Sequence, residues 1–335
     1  MIKAIILFAI GLMCLIKGGD WFVDGATGIA HKYHMPELLI GATIVSIGTT
    51  LPEVMVSSTA AVLGHSQIAY GNAIGSIICN TALILALTAA VKPQNVERKG
   101  LLVPAVFFFV AAGFYVGVAY ISGHFSRITG ILLLCIFAAY MIKLIKEAVS
   151  QSGKGNQVIS EQKSEDTENA ENTEGEKPKS IGLLLVMLVV GAALIAVGAD
   201  LLVDNGTIIA EIMGVPESVI ALTFVALGTS LPELVTAITA LAKGYGALSI
   251  GNVIGANLFN LVLVNGLACI LCPFDIPANN YIVGINSSLV VDVPVMLIVM
   301  LLAIVPTIAK GKIARWQGIT LMGTYAAFVV FQFVA

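Results

Sequence analysis

One motif occurs twice in this chain. Residues 48–53 read GTTLPE and residues 228–233 read GTSLPE, an offset of 180. The offset continues without a gap through Asp20/Asp200, Asp24/Asp204, Pro36/Pro216, Glu37/Glu217, Asn72/Asn252, Gly75/Gly255 and Asn80/Asn260. From Gly18 to Asn80 about 25 of 63 aligned positions are identical. Each copy sets a glutamate, Glu53 or Glu233, in the middle of a long apolar stretch. An acid at membrane depth is costly to keep, and a repeated one points to a cation site between two halves.

Composition supports the membrane setting. Of 335 residues, 58% are hydrophobic and 11% charged, with a mean hydropathy of +0.97. Soluble domains carry about 25% charged residues. Apolar runs predict ten spanning helices, at about 4–24, 37–62, 67–90, 101–121, 127–148, 181–203, 217–241, 247–271, 283–305 and 315–334. The predicted fold is an all-α polytopic membrane protein. Residues 1–149 form a first five-helix repeat and 181–335 a second, with the repeated motifs at about 41–85 and 221–265. Residues 150–180 are rich in Glu, Ser, Asn, Lys and Gly and read as an acidic, disordered linker, a solvated tether rather than a weak calcium site. The N-terminal apolar run imitates a signal peptide, yet Asp20 and Asp24 match the second copy, so it is expected to be retained.

Five spans per copy is odd, so the second copy must enter the membrane upside down, which makes an inverted-topology repeat. With the N-terminus outside, fourteen Lys and Arg fall in inside segments, against only Lys3 and Arg127 outside. That bias predicts both termini outside and the linker in the cytoplasm of a multi-pass protein of the cell membrane.

Helical spacing then builds the site. Ser46, Thr49, Thr50 and Glu53 share one face of the second span; Asn72, Ser76 and Asn80 share one face of the third. The second copy offers Thr229, Ser230 and Glu233, then Asn252 and Asn260. All present oxygen, which suits Na⁺ and Ca²⁺ rather than zinc or copper. Pro52 and Pro232 each remove a backbone donor, making carbonyls near Ser46 and Ala226 further candidate ligands. Any single hydroxyl here has the alternative of bonding back to its own helix. The glutamates differ: with no Lys or Arg at comparable depth, each is protonated or holds a cation. Ionised, the pair carries two negative charges, matching one Ca²⁺ or two Na⁺ that compete for the same place.

Other features read more plainly. Gly71, Gly75, Gly251 and Gly255 are expected to mediate close helix packing. Asp20, Asp24, Asp200 and Asp204 fall near membrane edges, where caps and surface ion pairs are the default. The Cys269/Cys272 pair reads as buried small side chains, and His31 and His34 as loop residues. Asp292 has Ala112 at the matching place in the first copy and carries no assignment.

At GTTLPE with GNAIGSIICN, and GTSLPE with GNVIGANLFN, the chain resembles the cation/Ca²⁺ exchanger superfamily, most closely its prokaryotic sodium/calcium exchanger branch. The resemblance implies Na⁺-driven Ca²⁺ antiport in a ten-helix inverted-repeat fold, with the first and sixth helices sliding across the core. Carried over by position, its ligands fall on Thr49, Thr50, Glu53, Ser76, Asn80, Thr229, Ser230 and Glu233, with carbonyls from Ser46 and Ala226. Asn80 and Asn260 are both Asn where the family often has one Asp, and Ala256 stands where it often has Ser. Na⁺ and Ca²⁺ are the expected substrates and the lipid bilayer the expected surroundings. No cofactor, nucleic acid or obligate protein partner is expected. Alternatives are a K⁺-dependent or H⁺-coupled exchanger and a passive cation channel; no nucleophile–base pair supports an enzyme.

Overall fold

The structure, a computed structural model, describes residues 2–162, 180–213, 228–277, 281–282 and 284–334. Its helices are α1 (Ile2–Lys32), α2 (Glu37–Val62), α3 (Gln67–Val91), α4 (Arg98–Ile121), α5 (Arg127–Gln162), α6 (Ile181–Ile212), α7 (Leu231–Ala242), α8 (Gly246–Leu271), α9 (Ser288–Lys310) and α10 (Arg315–Val334). Eight of them, α1 to α6 with α8 and α9, are long and apolar enough to cross a membrane. The seventh expected span starts at 217, and its first part lies outside the described residues, which leaves α7 short. The tenth expected span is present as the 20-residue α10 but is not among the eight. Gly64 and Gly244, again 180 apart, adopt φ of +82° and +88° where the chain leaves α2 and α7. Only glycine takes that conformation without strain.

Three expectations need correction. First, α1 and α6 run on to Lys32 and Ile212, well past the predicted ends at about 24 and 203. The aspartates taken for edge residues lie inside continuous helices, because in lipid the cheapest way to satisfy the backbone is to keep the helix going. Second, α5 continues to Gln162, so the linker does not begin as disorder at 150. Extending a formed helix costs far less than starting one, and Lys143–Glu147 supports the last apolar turns at 3.2 Å. The rest of the linker, 163–179, lies outside the described residues. Third, among the described residues the loops carry short strand pairs: Gln94–Asn95 with Lys312–Ile313, His124–Phe125 with Phe274–Asp275, and Tyr281–Ile282 with Ile285–Asn286.

Helices α3 and α8 sit at the centre. In α8 every residue from Leu248 to Phe259 is buried. Around them Tyr115, Phe125, Tyr140 and Phe259 fill the main core. Large apolar side chains such as Ile5, Ile16, Val110 and Val189 point outward, as lipid-facing positions do.

A second core joins α1 to α6. These helices are antiparallel, and their contact uses small residues seven apart. A Cβ on Gly11 would meet the Gly198 carbonyl at 3.0 Å, one on Gly18 the Gly191 carbonyl at 2.9 Å, and one on Gly25 the Leu184 carbonyl at 2.8 Å. Without side chains in the seam the backbones approach closely, and dispersion holds the pair where water cannot.

This pair touches the core through α7. The Lys243 ammonium at the end of α7 reaches Asp24 at 2.7 Å and Asp20 at 3.3 Å on α1. Partial burial works against the lysine charge, but the hydrogen bonds and charges of Asp24 and Asp20 outweigh it and raise the Lys243 pKa. A raised lysine pKa means the pair contributes fully below the ordinary lysine value, about 10.4, and fades as pH climbs through the folded value. The ion-pair expectation for Asp20 and Asp24 therefore holds. Position 63, which matches Lys243 in the first copy, is Leu, so the clamp is one-sided.

Candidate functional site

The two motifs fold differently. In the first copy, α2 runs unbroken through Pro52, with a π-helical stretch at Gly41–Val45. In the second, Gly228–Ser230 is a turn and the helix restarts at Leu231, with Pro232 in its first turn. Proline is tolerated there because its missing donor would have no helical partner. The third helix of each copy repeats more faithfully. Asn80 opens the π stretch Asn80–Leu85, and Asn260 opens Asn260–Val264. Such wide turns release carbonyls from the usual ladder and recur at functional sites.

Apart from Thr229, the described side chains of the expected site are buried: Ser46, Thr49, Thr50, Glu53, Ser76, Asn80, Ser230, Glu233 and Asn260 are at most 4% exposed. Thr229 is half-buried in the turn. Ala226 lies outside the described residues, so its carbonyl is not placed. Glu53 and Glu233 sit close enough to repel one another, and Glu233 lies against the Thr49 and Thr50 hydroxyls. Among the described residues, both oxygens of each carboxylate, both polar atoms of Asn80 and of Asn260, and the hydroxyls of Thr50 and Ser230 have no hydrogen-bond partner. An unpaired buried polar atom costs about 1–3 kcal/mol, and an uncompensated buried charge more. Protonation relieves the acids alone, whereas a cation with its water offsets acids and neutral oxygens together.

A supporting layer fixes these oxygens. The Ser46 hydroxyl shares its one hydrogen between the Gly41 carbonyl at 2.7 Å and the Asn252 carbonyl at 2.9 Å, which fixes its orientation. The Thr49 hydroxyl donates to Asn252 Oδ1 at 3.2 Å. Asn72 donates to the Glu53 carbonyl at 3.3 Å and Ser57 Oγ at 2.9 Å. Tyr140 donates to the Ala42 carbonyl at 3.1 Å, pinning the π stretch of α2, and Asn265 does the same for Asn260 at 3.1 Å. Asn72 and Asn252 belong to the predicted stripes, and each hydrogen-bonds to a residue of α2 beside the acids.

Some neighbours escaped the sequence reading. The Cys79 thiol lies against Tyr325 and Ser230, and Thr236 Oγ1, one turn beyond Glu233, is buried without a partner. Thr236 was detectable as a hydroxyl three residues after the acid; its counterpart is Val56, so the repeat concealed it. Ala256 is fully buried and contributes no hydroxyl where Ser76 does in the other copy.

A Cβ on Gly251 would lie 2.2 Å from the Leu38 carbonyl, and one on Gly255 2.3 Å from Ser46 Oγ. Among the described residues nothing lies within 4 Å of a Cβ on Gly71 or Gly75, but 218, 222 and 226, the positions matching the partners of the α8 pair, lie outside the described residues. The predicted packing role holds for Gly251 and Gly255.

Between the α1–α6 pair and the motif helices lies an apolar cavity of about 900 Å³. Phe22, Leu51, Pro52, Ala196 and Pro232 line it, with Gly48 and Thr229 at its site-facing wall.

Comparison with known proteins agrees with this architecture. The family described as sodium/calcium exchanger protein matches residues 3–146 and 183–334. The sodium/calcium exchanger MaX1 of Methanosarcina acetivorans is 35% identical over 355 aligned positions, covering 98% of each chain. The inner membrane protein YrbG of Escherichia coli is 34% identical, covering 88% of this chain and 87% of its own. Among solved structures, the sodium-calcium exchanger NCX_Mj superposes with a TM-score of 0.76 at 32% identity, covering 99% of both chains. With the family match running over nearly the whole chain, relatives at this level of identity and a shared helical scaffold, the chain belongs to the sodium/calcium exchanger family of membrane cation transporters.

Proposed function

We propose that this chain is a secondary active antiporter that exchanges Na⁺ for Ca²⁺ across the cell membrane, by alternating access to one site between Glu53 and Glu233. The observation that carries the reading is the set of buried, unpartnered oxygens around two facing carboxylates. One Ca²⁺ neutralises both acids; two Na⁺ do the same. A site holding both kinds at once would be overcharged, so either ion displaces the other. The ligands are the carboxylates of Glu53 and Glu233, the side chains of Thr49, Thr50, Ser76, Asn80, Thr229, Ser230 and Asn260, and the carbonyls of Ser46 and Ala226.

Alternation comes from the α1–α6 pair moving as one unit over the cavity wall. The glycine seam joins that pair closely, and the cavity wall is mostly apolar, with Asp200 and Asp204 at its edge, so few polar contacts oppose the movement. An inverted repeat supports two mirror states. The loop pairing is consistent with it: the strand after α3 pairs before α10, and its counterpart after α8 pairs before α5. Both termini face outside in this reading, and the 163–179 segment faces the cytoplasm.

The direct test is Ca²⁺ entry into Na⁺-loaded vesicles diluted into Na⁺-free buffer. Uptake is expected only with the outward Na⁺ gradient. Uptake indifferent to Na⁺ refutes antiport, and downhill flux without a counter-ion indicates a channel.

Two further outcomes are expected. Lys243→Met removes the one-sided clamp between α1 and α7. Such a pair is worth about 0.2–1 kcal/mol, so conformer populations shift about 1.4- to 5-fold. Spin-label distances between α1 and α7 report it, and an unchanged distribution argues against a clamp. Asn260→Asp adds a third acid to the site. It is expected to make exchange steeply pH-dependent between pH 5 and about 8, where the chain with Asn is flatter. Matching pH–rate profiles would show that position 260 does not face the ions.

A further inference from the structure

A second oxygen cluster lies outside the repeated site, at the end of the bundle where α3 and α9 begin and α4 and α10 finish. Its centre is Asp292, in the π-helical opening of α9, Ser288–Asp292. Gln332 of α10 donates to Asp292 Oδ1 at 2.8 Å. The Ser288 hydroxyl faces the same carboxylate. From α3 the Tyr70 hydroxyl lies beside Ser288 and within electrostatic reach of Asp292, and from α4 the Tyr115 hydroxyl lies within electrostatic reach of Tyr70 and Asp292. Tyr70, Tyr115 and Ser288 are 3%, 0% and 1% exposed, yet among the described residues none of the three hydroxyls closes a hydrogen bond of ordinary geometry.

Three buried orphan hydroxyls around one carboxylate are a costly arrangement unless something bridges them. Among the described residues no Lys, Arg or His pairs with Asp292. The cluster thus carries one uncompensated negative charge with oxygen donors only. The π turn adds a further strain on the ladder, since the Leu289 carbonyl is turned out to accept from Tyr120. One charge and hard neutral oxygens select an alkali-metal cation over a divalent ion, and the absence of thiolate or imidazole disfavours transition metals.

From this geometry we propose that Asp292, Ser288, Tyr70 and Tyr115 form a second cation site, for a monovalent alkali ion, separate from Glu53 and Glu233. It has no counterpart in the other copy, because Ala112 stands at the position matching Asp292. The site does not depend on the exchange reading, and its test is independent of transport.

Tl⁺ serves as the probe, since it substitutes for alkali ions and scatters anomalously. Crystals of the full chain soaked in Tl⁺ are expected to show density among Tyr70, Ser288 and Asp292, absent in Asp292→Asn. Competition with Na⁺ or K⁺ then identifies the native ion by which removes the peak at lower concentration. In solution, the Glu53→Gln/Glu233→Gln chain isolates the second site. On that background Tyr70→Phe and Ser288→Ala are each expected to weaken Tl⁺ binding, and Asp292→Asn to weaken it about tenfold or more. No Tl⁺ density in the unmodified chain, or density and affinity unchanged by Asp292→Asn, overturns the proposal and leaves the hydroxyls bridged by water alone.

Discussion

Replacing Glu53 or Glu233 by glutamine is expected to abolish Ca²⁺ exchange while making the ion-free protein more stable. The two effects share one cause. The acids are fully buried, lie close enough to repel each other and, among the described residues, form no ion pair with a cationic side chain. In the ion-free protein their repulsion and desolvation oppose folding, so an isosteric neutral amide relieves strain. In the Ca²⁺-bound protein the same carboxylates are the strongest ligands. Losing one removes a charge-assisted contact in a dry site, and Ca²⁺ affinity should fall more than about 100-fold, equivalent to about 2.7 kcal/mol. A thermal-unfolding series with and without Ca²⁺ separates the terms. Saturating Ca²⁺ should raise the melting temperature of the unmodified chain, since a ligand at 100 times its Kd adds about 2.7 kcal/mol. Either variant should start higher and gain little. A variant that starts lower, or still transports near normally, would show that the acids are not the ion site.

The second large effect lies in packing. Gly251→Val is expected to prevent stable assembly, and Gly251→Ala to cost about 1–3 kcal/mol or more. The α2 and α8 backbones cross at Gly41 and Gly251. A Cβ at 251 would sit 2.2 Å from the Leu38 carbonyl and 3.1 Å from the Ala42 nitrogen; one at 41 would sit 2.4 Å from the Leu248 carbonyl. These obstacles are backbone atoms and cannot rotate aside. The helices would have to separate, pulling Asn252 away from Thr49 and Ser46 and so loosening the ligand stripe. Yield of monodisperse protein and melting temperature check the prediction. A Gly251→Val chain that assembles with the unmodified melting temperature would contradict the close crossing.

Gly251 also shows where reading residues along the chain stops working. Close packing was expected of it, but the backbone it meets, at Leu38 and Ala42, is a partner that the local sequence does not name. The acids were legible for the opposite reason. A carboxylate in an apolar run is anomalous wherever its helix packs, so Glu53 and Glu233 needed no tertiary information. Asn80 and Asn260 were legible through spacing alone, since a helical face follows from the period.

The repeat itself misled in specific ways. It hid Thr236, whose counterpart is Val56, and Asp292, whose counterpart is Ala112. It also suggested one backbone for both motifs, yet α2 is continuous at Pro52 whereas the chain turns before Pro232. Proline restricts a backbone without dictating which of its allowed conformations is used.

The sequence alone determined that this chain is a bundle of membrane helices with two buried acids set on oxygen-rich faces. Membrane burial forces helices, and hydropathy with helical period can be read residue by residue. Only the tertiary structure decided which buried polar atoms near the acids are hydrogen-bonded and which, among the described residues, are left unpaired. It also decided that α1 and α6 form one glycine-seamed unit, that Lys243 clamps it on one side, and that Asp292 gathers hydroxyls from three helices. Each of these depends on contacts between segments far apart in sequence, whose distances arise only when every helix has packed.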